Sequence, residues 1–207
     1  HARIVDVDTS RAEAHPGVEA VVTGRDVPFI FGETIKDQPF IAADKVRFIG
    51  EPVAAVAAID EDTAQAAAAL IEVTYEDLPG VFSAEAAMAE RAPVIHEERP
   101  SNVVDVVNYA HGDVEYGERE SDVVIQDHFK MQFVTHCCMG ASAVVANFDT
   151  RGNLTIHSQT QVPFLYRREI AAAVGVHPGK IRVIQPSIGG GFGSRLDLDL
   201  CLIHRRG

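Results

Sequence analysis

The sequence predicts an α+β fold in two parts, a small sheet with a helix on one face followed by a second unit of sheet and helix. Three observations carry this. Residues 53–59, 64–70 and 71–75 read in order as strand, helix and strand, the pattern of a small sheet covered on one side. Residues 144–148 and 154–158 flank Asp149-Thr150-Arg151-Gly152-Asn153, a hairpin signal. Pro163 then opens a helix that meets Gly175 at residue 174, and a strand over 181–184 leads into a run of glycines.

Taken from the N-terminus, residues 2–7 are strand-like, and Ser10 is placed to cap a short helix, 11–15, that stops at Pro16-Gly17. Residues 18–22 form a second strand, ended by Thr23-Gly24-Arg25-Asp26. Gly and Pro interrupt residues 27–44, which read as loop with short extended pieces. Apolar runs at 46–49 and 53–59 flank Gly50-Glu51-Pro52. The second is rich in Val and Ala without alternation, the signature of a strand buried on both faces. Asp60 stands at an N-cap, and Glu61 and Asp62 put negative charge on the first turn, where the helix dipole favours it. Residues 64–70 have high helix propensity, and 71–75 switch to alternation and β-branched residues.

Glu76-Asp77-Leu78-Pro79-Gly80 closes that unit; 84–89 is a short helix and 92–102 a charged, proline-bounded connection. His111-Gly112-Asp113 and Tyr116-Gly117 punctuate the chain at the expected division, into domains of residues 1–110 and 111–207. Residues 122–135 alternate over a long span, imperfectly setting Val123, Ile125, Phe129, Met131 and Phe133 against Val124, Gln126, His128, Lys130 and Gln132.

Composition narrows the function. The 207 residues are 46% hydrophobic and 23% charged, too apolar for a disordered tail. The longest apolar stretches, 52–59 and 64–71, fall short of the ~20 residues of a helical membrane span. Net charge is −12, and no basic cluster exceeds Arg167-Arg168 or Arg205-Arg206, which argues against nucleic-acid binding. Three cysteines, two of them adjacent, make no disulfide framework and point to a reducing, cytoplasmic compartment. The opening His1-Ala2-Arg3-Ile4-Val5, without Met and already strand-patterned, and the end just past the glycine run suggest a piece of a longer chain.

Three segments could carry chemistry. In Ser187-Ile188-Gly189-Gly190-Gly191-Phe192-Gly193-Ser194, the glycines let backbone approach a ligand and offer successive N–H groups to an anion, or simply make a tight loop with positive φ. It is neither a P-loop, lacking the Lys-Ser/Thr, nor a dinucleotide fingerprint, lacking the spacing. In Ser158-Gln159-Thr160-Gln161-Val162-Pro163, a glutamine at a strand end before a helix can aim an amide into a crevice; solvated turn polars would look the same. His128, His136, Cys137, Cys138 and Met139 cluster without any C-x-x-C or H-x-x-x-H spacing. Adjacent cysteines on a strand point to opposite faces, so structural, buried cysteines are expected. The other histidines form no triad, and Ser142 lies in no nucleophile elbow.

Together these segments resemble the molybdenum-containing large subunit of the xanthine dehydrogenase/aldehyde oxidase family. His1-Ala2-Arg3-Ile4 and Pro16-Gly17-Val18 resemble the start of the family's α/β hammerhead domain. Asp44-Lys45-Val46-Arg47-Phe48-Ile49-Gly50-Glu51-Pro52-Val53-Ala54 resembles its most characteristic stretch, and Val73-Thr74-Tyr75-Glu76-Asp77-Leu78-Pro79 the strand after its helix. Gly112-Asp113-Val114-Glu115 with Ser121-Asp122-Val123-Val124 is similar to the entry into the first molybdopterin-binding domain. The resemblance implies a hammerhead domain over 1–110 and the truncated N-terminal part of the cofactor domain over 111–207.

It also implies roles. Gln161 matches the glutamine that hydrogen-bonds the apical oxo ligand of molybdenum. Gly190, Gly191, Phe192 and Gly193 match the loop beside the cofactor, where the Phe ring packs nearby and backbone amides meet the pterin or oxo group. Gln161 and Phe192 are thus the implied catalytic-site residues, and no residue of the chain is an implied metal ligand. The implied cofactor is molybdenum–molybdopterin, in some members the cytosine dinucleotide form. Electrons pass to [2Fe–2S] clusters and FAD, on a small iron–sulfur subunit and an FAD subunit or on other domains of an oligomeric enzyme. Hydroxylation of aromatic heterocycles or aldehydes is the usual reaction; a side branch, 4-hydroxybenzoyl-CoA reductase, runs the electrons the other way.

The chain departs from the family in places. His136-Cys137-Cys138-Met139-Gly140-Ala141 lacks the usual Glu-Pro, and Leu196 replaces a glutamate that contacts purines, which argues against purine substrates. The family's general-base glutamate lies far downstream of the positions matched here. Residues 201–207 no longer resemble the helix expected there, as a truncation or a frameshifted tail would not. Two other readings are a non-catalytic remnant that docks onto a partner subunit, and a zinc module through His136 and Cys137.

Overall fold

The computed structural model describes residues 1–32 and 35–196. In chain order its first part comprises β1 (Ala2–Asp8), α1 (Ser10–Glu13), β2 (Val18–Thr23), β3 (Ile30–Phe31), β4 (Gln38–Pro39), β5 (Lys45–Val46), β6 (Ala54–Ala58), α2 (Glu61–Ala68) and β7 (Glu72–Asp77). Then come α3 (Ala84–Ala87), α4 (Val114–Glu120), β8 (Val144–Phe148), β9 (Leu154–Ser158), α5 (Pro163–Val174) and β10 (Ile181–Ile184). The α+β class is as expected. Residues 197–207, and with them the expected tail over 201–207, lie outside the described residues.

Among the described residues, one compact unit joins the segment that ends at Val81 with residues 136–196. Within it β1 is flanked by β5 and β7, both antiparallel to it, and β2 pairs antiparallel with β6. Helix α2 starts where its cap requires: the Asp60 side chain accepts the Thr63 N–H at 2.8 Å, and the helix packs on β6. Helix α1 corrects the expectation for Ser10. The Asp8 carboxylate, two residues upstream, accepts the Ser10 N–H at 2.9 Å, so Ser10 is the first helical residue and not the cap.

Strand β6 is half-buried rather than buried on both faces. Among the described residues it pairs only with β2, in a two-stranded sheet. The run at 46–49 is no longer strand after Val46. Arg47 donates backbone N–H and guanidinium to Glu51, at 2.5 and 3.3 Å, and the chain folds into a loop from which Phe48 and Ile49 project into solvent.

Part of the main core was not legible from periodicity. Phe31, Phe40 and Ile41, from the stretch read as loop, are buried with Leu154, Ile156, Tyr166, Ile170, Ala171, Val176 and Ile181. Phe40 stacks on Phe29 with ring centroids 5.4 Å apart and tilts against Phe31 at 4.8 Å. The short hairpin β3–β4 lies between Phe29 and Phe40 and carries Phe31 itself.

The second unit is Phe82–Thr135. Ser83 caps α3 by accepting the Ala86 N–H at 3.1 Å, and Asp113 caps α4 by accepting the Tyr116 N–H at 2.9 Å. Helix α4 was not anticipated, because Gly117 in its middle reads as a breaker; the cap Asp113 with Glu115 in the first turn was the available signal. Asn102, at φ 55°, ties the connection together: its carbonyl accepts the Ile95 N–H and its amide donates to Ala87 and Pro93 carbonyls. The alternating residues 122–135 form no strand. Among the described residues nothing pairs with them, and Val123, Ile125, Phe129, Met131 and Phe133 are all exposed.

Candidate active-site loop

Strands β8, β9 and β10 form a sheet in the order β10-β9-β8, with β9 antiparallel to β8 and parallel to β10. Leu154, Ile156 and Ser158 point into the interior, which fixes the register of the central strand. Because β9 and β10 run the same way, with Leu154 opposite Ile181, the segments that leave them emerge at the same edge of the sheet. Those segments are 159–162, which leads into α5, and the glycine run. Parallel pairing brings together two pieces that the sequence separates by thirty residues.

Gln161 and the glycine run meet directly. The Gln161 N–H donates to the Arg195 carbonyl at 2.9 Å, and its side-chain Oε1 accepts the Gly193 N–H at 3.3 Å. With that oxygen engaged, the amide NH2 is the end left to donate, and no acceptor among the described residues takes it. Gly191 leaves room for the Gln161 side chain as it stands: a Cβ there would lie 2.5 Å from Gln161 Oε1 and 2.6 Å from its Cδ. Phe192 sits at φ 50° with its ring 76% exposed, next to Gly190 at φ 103°, where a Cβ would come within 3.1 Å of that ring. The N–H groups of Gly190, Gly191 and Phe192 donate to no described acceptor, so three consecutive donors line the loop.

Beneath the loop lie Ser194, Cys138 and Ser142, and with them Arg195, which sequence reasoning did not single out. Ser194 donates its hydroxyl to the Gly191 carbonyl at 2.8 Å, and Cys138 Sγ lies 3.3 Å from that hydroxyl and 3.6 Å from the same carbonyl. Arg195 is 4% exposed; its Nη2 donates to the Gly140 carbonyl at 2.6 Å and its Nη1 to the Ser142 hydroxyl. Gly140 packs backbone to backbone on Gly189, where a Cβ would lie 3.0 Å from the Gly140 Cα. A glycine at 140 is what permits this approach. Gln159 lies beside Gly140 as well, with its buried Oε1 unpartnered.

The cysteines differ from expectation. Cys137 has φ 47° and is exposed, and Cys138 is half-buried, so the pair is neither on a strand nor fully buried. His136 lies near Gly193, its Nε2 3.8 Å from a Cβ built there, whereas His128 belongs to the other unit. No three His, Cys, Asp or Glu side chains among the described residues are grouped to hold a metal ion. No helix among them is long and apolar enough to cross a membrane.

The donors present suit an oxygen-rich, anionic cofactor: an amide NH2 and three free backbone N–H groups, with no carboxylate among them. They are hydrogen-bonding groups and not metal ligands.

Comparison with known proteins shows what the chain resembles. Residues 1–79 match the family model of the aldehyde oxidase and xanthine dehydrogenase a/b hammerhead domain, and 95–201 that of the molybdopterin cofactor-binding domain. The chain is 39% identical over 202 residues to the nicotinate dehydrogenase large molybdopterin subunit of Eubacterium barkeri, covering 97% of this chain and 47% of that protein. It is 34% identical over 222 residues to the carbon monoxide dehydrogenase large chain of Afipia carboxidovorans, covering 95% of this chain and 27% of that one. Among solved structures, quinoline 2-oxidoreductase from Pseudomonas putida 86 superposes with a TM-score of 0.84 at 33% identity, over 95% of this chain and 26% of that one. The aldehyde oxidoreductase from Desulfovibrio gigas superposes at 0.80 with 29% identity, over 95% and 23%. The chain thus spans about half the length of the first of these relatives and about a quarter of the others.

Proposed function

The chain belongs to the aldehyde oxidase and xanthine dehydrogenase family of molybdopterin-binding subunits, and from that premise we propose that Gln161 and the 190–193 loop form one wall of a molybdenum-cofactor pocket. The whole enzyme, on this reading, is an oxidoreductase that hydroxylates an aromatic heterocycle or an aldehyde. The observation that carries it is the Gly193 N–H held on Gln161 Oε1, which turns the amide so that its NH2 is the donor on offer. Gly191 makes room for that glutamine, because a Cβ there would push its amide aside. The free N–H groups of Gly190, Gly191 and Phe192 would take up pterin or oxo oxygens, and the exposed Phe192 ring would pack against the cofactor and keep water from it. When bound, the molybdenum–molybdopterin group supplies the two-electron chemistry and hands the electrons on. Its form as a cytosine dinucleotide, the [2Fe–2S] and FAD acceptors on partner subunits, and a cytoplasmic location belong to the same proposal.

The test is Gln161→Ala in the complete enzyme. Turnover is expected to fall by about tenfold or more, the usual effect of losing a hydrogen bond next to a metal centre, while the pterin stays bound. Wild-type turnover would remove Gln161 from the site.

A second reading, a module that docks on a partner subunit without catalysis, draws on the exposed apolar residues of 122–135. It predicts that Phe133→Asp abolishes binding to the iron–sulfur subunit and leaves molybdenum content unchanged. Retained binding speaks against it.

A further inference from the structure

We propose that Arg195 is the positioning residue of this site, holding Gln161 and the glycine loop in register through its two ends. The inference rests on the reading of Gln161 as a cofactor contact. Arg195 joins three segments distant in sequence. Its carbonyl accepts the Gln161 N–H at 2.9 Å and the Thr160 hydroxyl at 3.4 Å, which fixes the backbone that bears the catalytic-site amide. Its guanidinium reaches in the other direction, to the Gly140 carbonyl at 2.6 Å and the Ser142 hydroxyl.

The geometry gives this a consequence at the loop. Gly140 donates its N–H to the Gly189 carbonyl at 3.4 Å and packs tightly on Gly189: a Cβ on Gly189 would lie 3.0 Å from the Gly140 Cα, and one on Gly140 3.0 Å from the Ile188 carbonyl oxygen. Segment 140–142 is therefore the floor on which the glycine run lies, and Arg195 nails the floor to the far end of that same run. A buried guanidinium is costly unless its N–H groups are satisfied, so the fork and its acceptors must stay together. If the fork is lost, Gly140 and Ser142 are released, Gly189 loses its support, and the Gln161–Gly193 pair at the loop's other end drifts. Lysine carries one nitrogen in place of the planar fork and replaces only one of the two bonds at its ideal geometry. The neutral methionine fills similar volume and replaces neither.

The experiment uses the complete holoenzyme with Arg195→Met, Arg195→Lys, Ser142→Ala and Gln161→Ala. Molybdenum per chain, the molybdenum EPR signal and amide exchange of peptides over 159–164 and 2–8 are measured beside kcat and KM. Expected for Arg195→Met is an EPR signal shifted in the same sense as that of Gln161→Ala, with kcat down about tenfold to a hundredfold and KM little changed. Amide exchange should be about tenfold faster over 159–164 and unchanged over 2–8. Arg195→Lys should lie between Arg195→Met and wild type. A wild-type EPR signal and molybdenum content in Arg195→Met, with a shifted signal in Gln161→Ala, would overturn the role of Arg195 and leave that of Gln161 standing. Wild-type signals in both variants would remove the Gln161 reading itself. Should Arg195→Met fail to fold, Ser142→Ala decides: a shifted signal supports the clamp, and an unchanged one overturns it.

Discussion

Two stretches of this chain alternate apolar and polar residues, and they end in opposite states. Residues 154–158 become β9, with Leu154 and Ile156 fully buried between β8 and β10 and under α5. Residues 122–135 alternate for longer and become no strand at all, with Phe129, Met131 and Phe133 exposed. The difference is in the neighbours. β9 has a hairpin turn that delivers β8 to one edge, closed by Asp149 accepting the Asn153 N–H at 2.8 Å, and a helix that returns β10 to the other. Alternation states which face could be buried; a strand forms only when the chain also supplies what buries it.

The sharpest way to break the comparison is to empty the favoured side of it. Ile156→Ala should destabilise the first unit by about 2–5 kcal/mol, because the site is enclosed on every side and cannot collapse onto the cavity. Urea unfolding measures it, and a loss under about 1 kcal/mol would mean that the core over 154–181 is loosely packed. Next in size is Gly191→Ala. The added methyl group must push the exposed Gln161 amide aside, at an expected cost of about 1 kcal/mol, and the Gly193–Gln161 bond should open. A crystal structure of the variant with that bond intact would refute the tight fit.

Acid should act unequally on the two units. In the first, Asp60 is held below the ordinary carboxylate range by the Thr63 hydroxyl and N–H, Asp149 by Asn153, Asp8 by Ser10 and Asp26 by Thr23. In the second, Glu85 is lowered by its own N–H and by Ser83. A carboxylate with a folded pKa below its unfolded one stabilises fully above the unfolded value, near pH 4, and loses that contribution as pH falls through the folded value. Amide exchange followed from pH 6 to pH 3 should therefore show the ends of α1, α2 and the β8–β9 turn loosening only below about pH 4. Protection lost at higher pH would mean that other groups hold these ends.

Much of the fold could be read locally. Asp60 capping α2, Gly175 ending α5 with φ 66°, and the 149–153 turn each carry their signal within a few residues. What could not be read was set by distant partners. Phe31 and Phe40 sit in a stretch with no period, and only their burial against Tyr166 and Ile170 makes them core. At the site, Gln161 and the glycine loop were each visible, but their contact depends on the parallel pairing of β9 and β10. Arg195 was invisible for the same reason. A charged residue after a glycine run looks like surface until Gly140 and Ser142 are known to lie beneath it.

The smallest expected effect tests the other half of the comparison. Phe133 is exposed, and a phenylalanine that contacts little loses little when it is removed. Phe133→Ser should shift stability by less than about 0.5 kcal/mol, and its clearer consequence is on association, since it breaks an apolar run of the kind that self-associates. Light scattering of the purified chain should show slower aggregation, with the unfolding midpoint unchanged. A loss of more than about 1 kcal/mol would mean that 122–135 buries its apolar side chains within the chain after all. In that case the difference from β9 would be one of degree, and alternation by itself would be a better guide to burial than its fate here teaches.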